Sequence, residues 1–144
     1  MEDTRFHNLV VDIISLFIYK YKLKVLNIID ARNIILKIII DFNRNCFCDE
    51  FLQEYLLIYL EKINPNFNFC DKEGFDDFKI INYREFLIVY LLILAKYVED
   101  NFFLNKDISD FYNISITRIN KLEIFILKNI NWDLSINKKY NGIY

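Results

Sequence analysis

The stretch that most constrains this chain is Glu85 to Asp100, EFLIVYLLILAKYVED. From Phe86 to Ala95 it runs ten apolar residues without a break, then turns polar at Lys96, Glu99 and Asp100. A helix that is apolar on every side has to be enclosed by other helices or by lipid. Ten helical residues reach only about 15 Å, and a bilayer core takes roughly 20 residues. The stretch therefore predicts the central helix of a helical domain, with the other helices packed around it. Its functional interest lies at the exit, where Lys96 follows the last apolar residue.

The rest of the composition fits one all-α domain. At 144 residues the chain has the length of a single domain. Two Gly and one Pro leave few breakers, which favours long helices and short connections. A net charge of -2 gives no basic footprint for nucleic acid. Three cysteines, Cys46, Cys48 and Cys70, with one histidine, His7, do not supply the close ligand pairs of a zinc site. Reduced thiols are the expectation. The start MEDTR is acidic as well as basic, and Asp12 interrupts the apolar run behind it, so no secretory signal is read. The expected location is nucleus or cytoplasm, neither secreted nor transmembrane. No Gly-rich phosphate loop, nucleophile elbow or Cys–His pairing is present, so no enzyme, cofactor, metal or small-molecule substrate is expected.

In chain order, Leu9, Val10, Ile13, Ile14, Phe17 and Ile18 define the apolar face of a docked N-terminal helix behind the caps Asp3 and Thr4. A second helix starts near Asp30, with Ile28, Ile35 and Ile39 as its stripe, and Asn43-Arg44-Asn45 breaks it. A third runs from about Asp49 until Asn64-Pro65-Asn66 closes it. Arg32 lies in the stripe of the second helix, and Glu61 shares a face with Leu57 and Ile58 on the third. Either the two form one buried ion pair, since buried charges are seldom left unpaired, or both sit at the edges of their faces in water. Residues 66–79 read as a loop; its Glu73, Asp76, Asp77 and Gly74 lack the spacing of a calcium loop.

Asn82 with Glu85 three residues on makes a variant capping box for the central helix. A short helix DISDFY follows, and Ser115 caps a last helix that runs to about Asn131. Within that helix Glu123 occupies a slot between Ile119, Ile126 and Ile130. A carboxylate there is either desolvated or kept for something that approaches this face. Lys96 is the obvious internal donor if the two helices pack side by side.

These residues resemble the cyclin box, and most of all the short P-type, or U-type, cyclins. The likeness rests on Ala95-Lys96-Tyr97-x-Glu99-Asp100, Asn105-Lys106, Ile114-Ser115, Ile119-Asn120-Lys121-Leu122-Glu123 and Asn131-Trp132-Asp133-Leu134. The family pattern, roughly A-K-[FY]-x-[DE]-D, N-K, G-[IV]-S, L-N-x-L-E and [DT]-[FW]-x-L, lies on the chain without a gap from Ile81 to Leu134. Upstream, Ala31-Arg32-Asn33-Ile34-Ile35 is similar to M-R-x-I-L, and Tyr59-Leu60-Glu61-Lys62 to Y-[IL]-D-R, with the family's spacing of 61 − 32 = 29 residues. There are departures. Residues 66–79 are longer than usual, Glu61 stands for Asp, and Ile38 replaces a Trp that floors a substrate groove in some cell-cycle members. Docking of that kind is not expected.

The resemblance implies an all-α, single cyclin-box fold: five helices around the central apolar one, plus an N-terminal helix. Its divisions are 1–26, N-terminal helix and linker; 27–135, cyclin box; and 136–144, a loose tail, with no second cyclin fold expected. It implies a non-catalytic subunit that binds and activates a cyclin-dependent protein kinase, without nucleic acid or membrane, in cell-cycle or nutrient-linked control. Lys96 and Glu123 would make polar contacts to the kinase; Tyr97, Leu127, Trp132 and Leu134 would give the apolar surface. Arg32 and Glu61 would form a buried structural pair, so that Arg32→Ala costs about 3–5 kcal/mol. The rival readings are a single cyclin-fold module of the transcription machinery and a helical scaffold without a kinase.

Overall fold

The apolar spacing of the first residues produces α1 (Thr4–Ser15), which passes into a π-helical turn at Leu16–Lys20. The computed structural model describes residues 4–25, 27–46, 60–63, 67–72, 79–97 and 105–132, and these are mostly helical. Val10, Ile13, Ile14 and Phe17 are buried as the sequence predicts. The π turn closes with the Tyr21 N–H donating to the Leu16 carbonyl at 3.0 Å. From there two side chains reach the helical segment at 60–62. The buried Tyr21 hydroxyl donates to the Leu60 carbonyl, and Lys20 Nζ donates to the Glu61 carbonyl at 2.9 Å. The Leu60 carbonyl also accepts from the Ile63 N–H at 3.3 Å, and Lys20 serves a carbonyl in the last turn, where intrahelical partners run out.

Burial pushes the Tyr21 phenol well above its ordinary range, with the Glu61 charge adding in the same direction. Tyr83 is raised too, again mainly by burial; Asp71 and Asp30 assist and Arg84 opposes. A group with a raised folded-state pKa stabilises fully below its unfolded value and loses that contribution as pH rises towards the folded one. Stability should therefore hold up to about pH 10 and then fall. Tyr21→Phe should cost about 0.5–1.5 kcal/mol at neutral pH, through the lost hydrogen bond, and should flatten the alkaline fall. Urea denaturation at pH 7 and above pH 10 measures both.

Helix α2 (Ile28–Cys46) starts earlier than the sequence predicts because Asn27 caps it. Asn27 Oδ1 accepts from the Ile29 and Asp30 N–H groups at 3.0 and 3.1 Å. It also runs through Asn43-Arg44-Asn45 without breaking. Asn is only mildly unfavourable inside a helix, and Phe42 anchors the final turns by stacking on Tyr112 with ring centroids 6.5 Å apart.

The buried face of α2 is Ala31, Ile35, Ile38, Ile39 and Phe42, while Ile28 is exposed. Ile35 and Ile39 of the expected stripe are in it; Ile28 shares their side but lies exposed in the first turn, and the face is centred towards Ala31 and Ile38, which leaves Arg32 on its shoulder. Arg32 and Glu61 are both exposed. The expected buried Arg32–Glu61 pair is therefore not present, and the reading that leaves both charges wet is correct.

The segment read as a loop contains a small parallel sheet. β1 (Asn68–Cys70) pairs with β2 (Ile80–Asn82) in the register Asn68–Ile80, Phe69–Ile81, Cys70–Asn82. The acidic residues Glu73, Asp76 and Asp77 lie outside the described residues. Aromatic rings tie the sheet into the core. Phe69 meets Phe17, Tyr21, Phe67 and Phe86 at centroid distances of 5.2, 5.5, 5.0 and 4.8 Å. Tilted and edge-on pairs of this kind each add about 0.5–1.5 kcal/mol beyond simple burial.

The central helix is α3 (Tyr83–Tyr97), and every residue from Glu85 to Ala95 is buried. It packs against α2, β2 and the last helix. Asn82 caps it as predicted, accepting from the Arg84 and Glu85 N–H groups at 3.0 and 3.1 Å. Then come α4 (Asn105–Tyr112) and α5 (Ile116–Asn129), which pack on each other. Asn113 turns between them with φ 56°, a left-handed conformation that Asn tolerates better than most residues. Ser115 caps α5 by accepting from the Arg118 N–H at 3.4 Å.

Candidate functional site

Two ion pairs fasten α5 to α3. At the start, Arg118 Nε donates to Glu85 Oε1, with the side chains 11% and 9% exposed. At the far end Lys96 Nζ meets Glu123 Oε2 at 2.8 Å, with exposures of 19% and 12%. The pairs occur in the same order on both helices, so α3 and α5 run in the same general sense. Residues 85 and 96 are about 16 Å apart along α3 and residues 118 and 123 about 8 Å along α5. The long Arg and Lys side chains take up the difference.

Glu85 was expected to fold back in a capping box. Instead its carboxylate serves Arg118, and Glu85 joins the cap only through its N–H, which donates to Asn82 Oδ1 beside that of Arg84. The signal was available: a carboxylate one turn into an otherwise apolar helix needs a charged partner when buried.

The Lys96–Glu123 pair, by contrast, forms where the sequence placed it, and it belongs to a larger network. Asn105, the first residue of α4, accepts from Lys96 Nζ through Oδ1 at 2.9 Å. Its Nδ2 donates to Glu123 Oε1 at 3.1 Å and to Asn120 Oδ1 at 2.7 Å. Three helices thus meet in one set of hydrogen bonds. Asn105 and Asn120 carried part of the family resemblance, yet nothing in their spacing gave them a partner.

Around this network the apolar residues divide. Tyr97 is 51% exposed and Trp132 is 59% exposed. Lys96 Nζ lies 5.4 Å from the Tyr97 ring centroid, within cation–π range. Trp132 follows the end of α5, where Asn131 and Trp132 both take left-handed backbone, φ 55° and 58°. The Trp132 N–H closes the turn on the Leu127 carbonyl at 2.7 Å. Left-handed backbone is unfavourable for an aromatic residue by roughly 1–2 kcal/mol, and here it leaves the indole exposed. Leu127 was expected on the apolar surface but is only 5% exposed. It faces inward with Leu122 and Ile126, so it is a core residue and not part of an accessible surface. Leu134 lies outside the described residues.

Away from this network a groove of about 550 Å³ runs between α2, the start of α3 and the end of α4. Ile34, Ile38, Ile88 and Phe111 give its apolar walls; Asp41 and Arg84 charge its rim. Ile38 stands where a flat aromatic floor was noted as missing.

Among the described residues no helix is long and apolar enough to cross a membrane. No group of three or more His, Cys, Asp or Glu is placed to hold a metal ion among them. Cys70 is a free thiol, with Sγ 3.6 Å from the Lys72 carbonyl. Comparison with known proteins finds no matching family model, no matching curated protein and no matching solved structure.

Proposed function

We propose that this chain is a cyclin-type regulatory subunit that binds and activates a cyclin-dependent protein kinase and does no catalysis itself. The observation that carries the reading is the Lys96–Glu123 pair at the exit of the buried central helix, with the exposed Tyr97 ring beside Lys96. The ordered motifs from Ile81 to Leu134 supply the rest of the support. Opposite charges, partly desolvated and next to an exposed aromatic side chain, have the composition of an interface hot spot.

The chemistry suits the end of a kinase helix. An ammonium offers three donors and a carboxylate offers acceptor oxygens, and a helix end presents main-chain carbonyls or N–H groups with no internal partner. Docking there would press the kinase helix inward, so that its Glu pairs with the ATP-site Lys, and would help order the activation loop. Tyr97 and Trp132 are the apolar anchors; Leu127 supports them from the core.

The test is a panel of recombinant monomeric cyclin-dependent kinases assayed with and without the purified chain. The wild type should activate at least one. Lys96→Ala and Glu123→Ala should each lower that activation by about tenfold or more while the chain stays helical by circular dichroism. Failure to activate any kinase would favour the scaffold reading, which the internal closure of Lys96 on Glu123 also accommodates. Salt-dependent DNA binding would favour the transcription-machinery reading.

A further inference from the structure

The Asn105 amide is used on all three sides. Its oxygen accepts from Lys96 Nζ, and its two N–H groups go to Glu123 Oε1 and Asn120 Oδ1. An amide has one carbonyl acceptor and two donor hydrogens, so this arrangement has a single workable orientation. Turned over, the NH₂ would face an ammonium and the oxygen would face two acceptors. Lys96, which can only donate, and Glu123, which can only accept, set that orientation; the exposed Asn120 takes the second N–H and holds it.

The effect on the charges is specific. Among the described residues, Lys96 spends one hydrogen on Glu123 and one on Asn105, which leaves the third for an outside acceptor. Each Glu123 oxygen takes one bond from the network and retains a lone pair for an outside donor. An ion pair at 2.8 Å held only by its own attraction can rotate about both long side chains. One that is also bridged from a third helix keeps one geometry.

We infer that Asn105, held in place by Asn120, is a positioning residue for partner recognition. It fixes the direction in which Lys96 donates and Glu123 accepts, so that the site fits a helix end presenting a main-chain carbonyl and a main-chain N–H at one set offset. The partner docks on the closed pair and does not have to open it. This rests on the kinase-binding reading above.

The experiment is isothermal calorimetry against a recombinant kinase activated in the panel. It compares wild type, Asn105→Ala, Asn120→Ala, Lys96→Ala, Glu123→Ala, and Asn105→Ala added to the Lys96→Ala/Glu123→Ala double variant. Nuclear magnetic resonance of the unbound chain follows exchange of the Asn105 side-chain amide. Asn105→Ala should weaken binding about tenfold, as expected for a lost hydrogen bond to a charged group. It should have no further effect in the double variant, because coupled residues are not additive. The Asn105 amide should exchange slowly in the wild type and faster in Glu123→Ala. Asn120→Ala, at an exposed position, should show a smaller loss in the same direction and keeps the test open if Asn105→Ala does not fold.

Wild-type affinity in both asparagine variants, alongside weakened Lys96→Ala and Glu123→Ala, would overturn the inference and leave the kinase reading standing. A tenfold loss that persists in the double variant would overturn it as well. If no kinase binds, or if Lys96→Ala and Glu123→Ala bind as wild type, the kinase reading falls and takes the inference with it.

Discussion

Arg118→Ala should lower the stability of the chain by about 3–5 kcal/mol, the usual cost of removing one partner from a buried ion pair. The carboxylate it abandons, Glu85, is buried against the apolar face of α3. Its first-turn position on α3 offsets a little of that penalty, because a helix N-terminus favours negative charge. Glu85→Ala removes the carboxylate that the Arg118 guanidinium meets and should also lower stability. The Glu85→Leu/Arg118→Met double substitution should recover most of the loss, since a buried pair replaced by well-packed apolar groups is often neutral or better. Arg32→Ala is the matched control. With Arg32 exposed, its expected effect is within about 0.5 kcal/mol. Urea denaturation of the four variants checks the set, and equal losses for Arg118→Ala and Arg32→Ala would sink the assignment.

The contrast between Arg118 and Arg32 shows which parts of the fold the sequence made legible. Phe86 to Ala95 could only be a buried helix, and it is one. The caps Asn82 and Ser115 were equally plain, because their oxygens act within three residues of themselves. Lys96–Glu123 was readable for a related reason. Lys96 ends the apolar run of α3 and Glu123 interrupts the apolar stripe in the middle of α5, and side-by-side packing brings the two together.

What failed depended on a helix's rotation about its own axis. The α2 stripe drawn through Ile28, Ile35 and Ile39 takes in Arg32, yet Ala31, Ile38 and Phe42 centre the core to the other side of that line. That shift of angle turns a buried ion pair into two wet charges. Leu127 came from the family resemblance and not from the periodicity of α5, and in the structure its side chain is only 5% exposed. The strands were invisible because three residues are too few to establish an alternation. Phe67 and Phe69 were the available hint, since two large aromatic side chains two residues apart in a supposed loop have to be buried somewhere.

The largest functional effect is expected from reversing the Lys96–Glu123 pair. Lys96→Glu places two carboxylates together in a partly buried site, and Glu123→Lys does the same with two ammonium groups. Each single reversal should destabilise the chain and, on the kinase-binding proposal, reduce kinase activation by about 100-fold. The double reversal restores attraction between the two positions. The Asn105 amide can turn over to suit it, meeting the carboxylate with Nδ2 and the ammonium with Oδ1, provided the exposed Asn120 amide turns with it. Melting temperature should therefore recover towards the wild-type value. Kinase activation should not, because the partner's carbonyl would then face a carboxylate and its N–H an ammonium. A private salt bridge predicts the opposite pairing of results, with activation returning along with stability. Measuring both properties on the same four proteins separates a pair that merely holds α5 to α3 from one that also faces a partner.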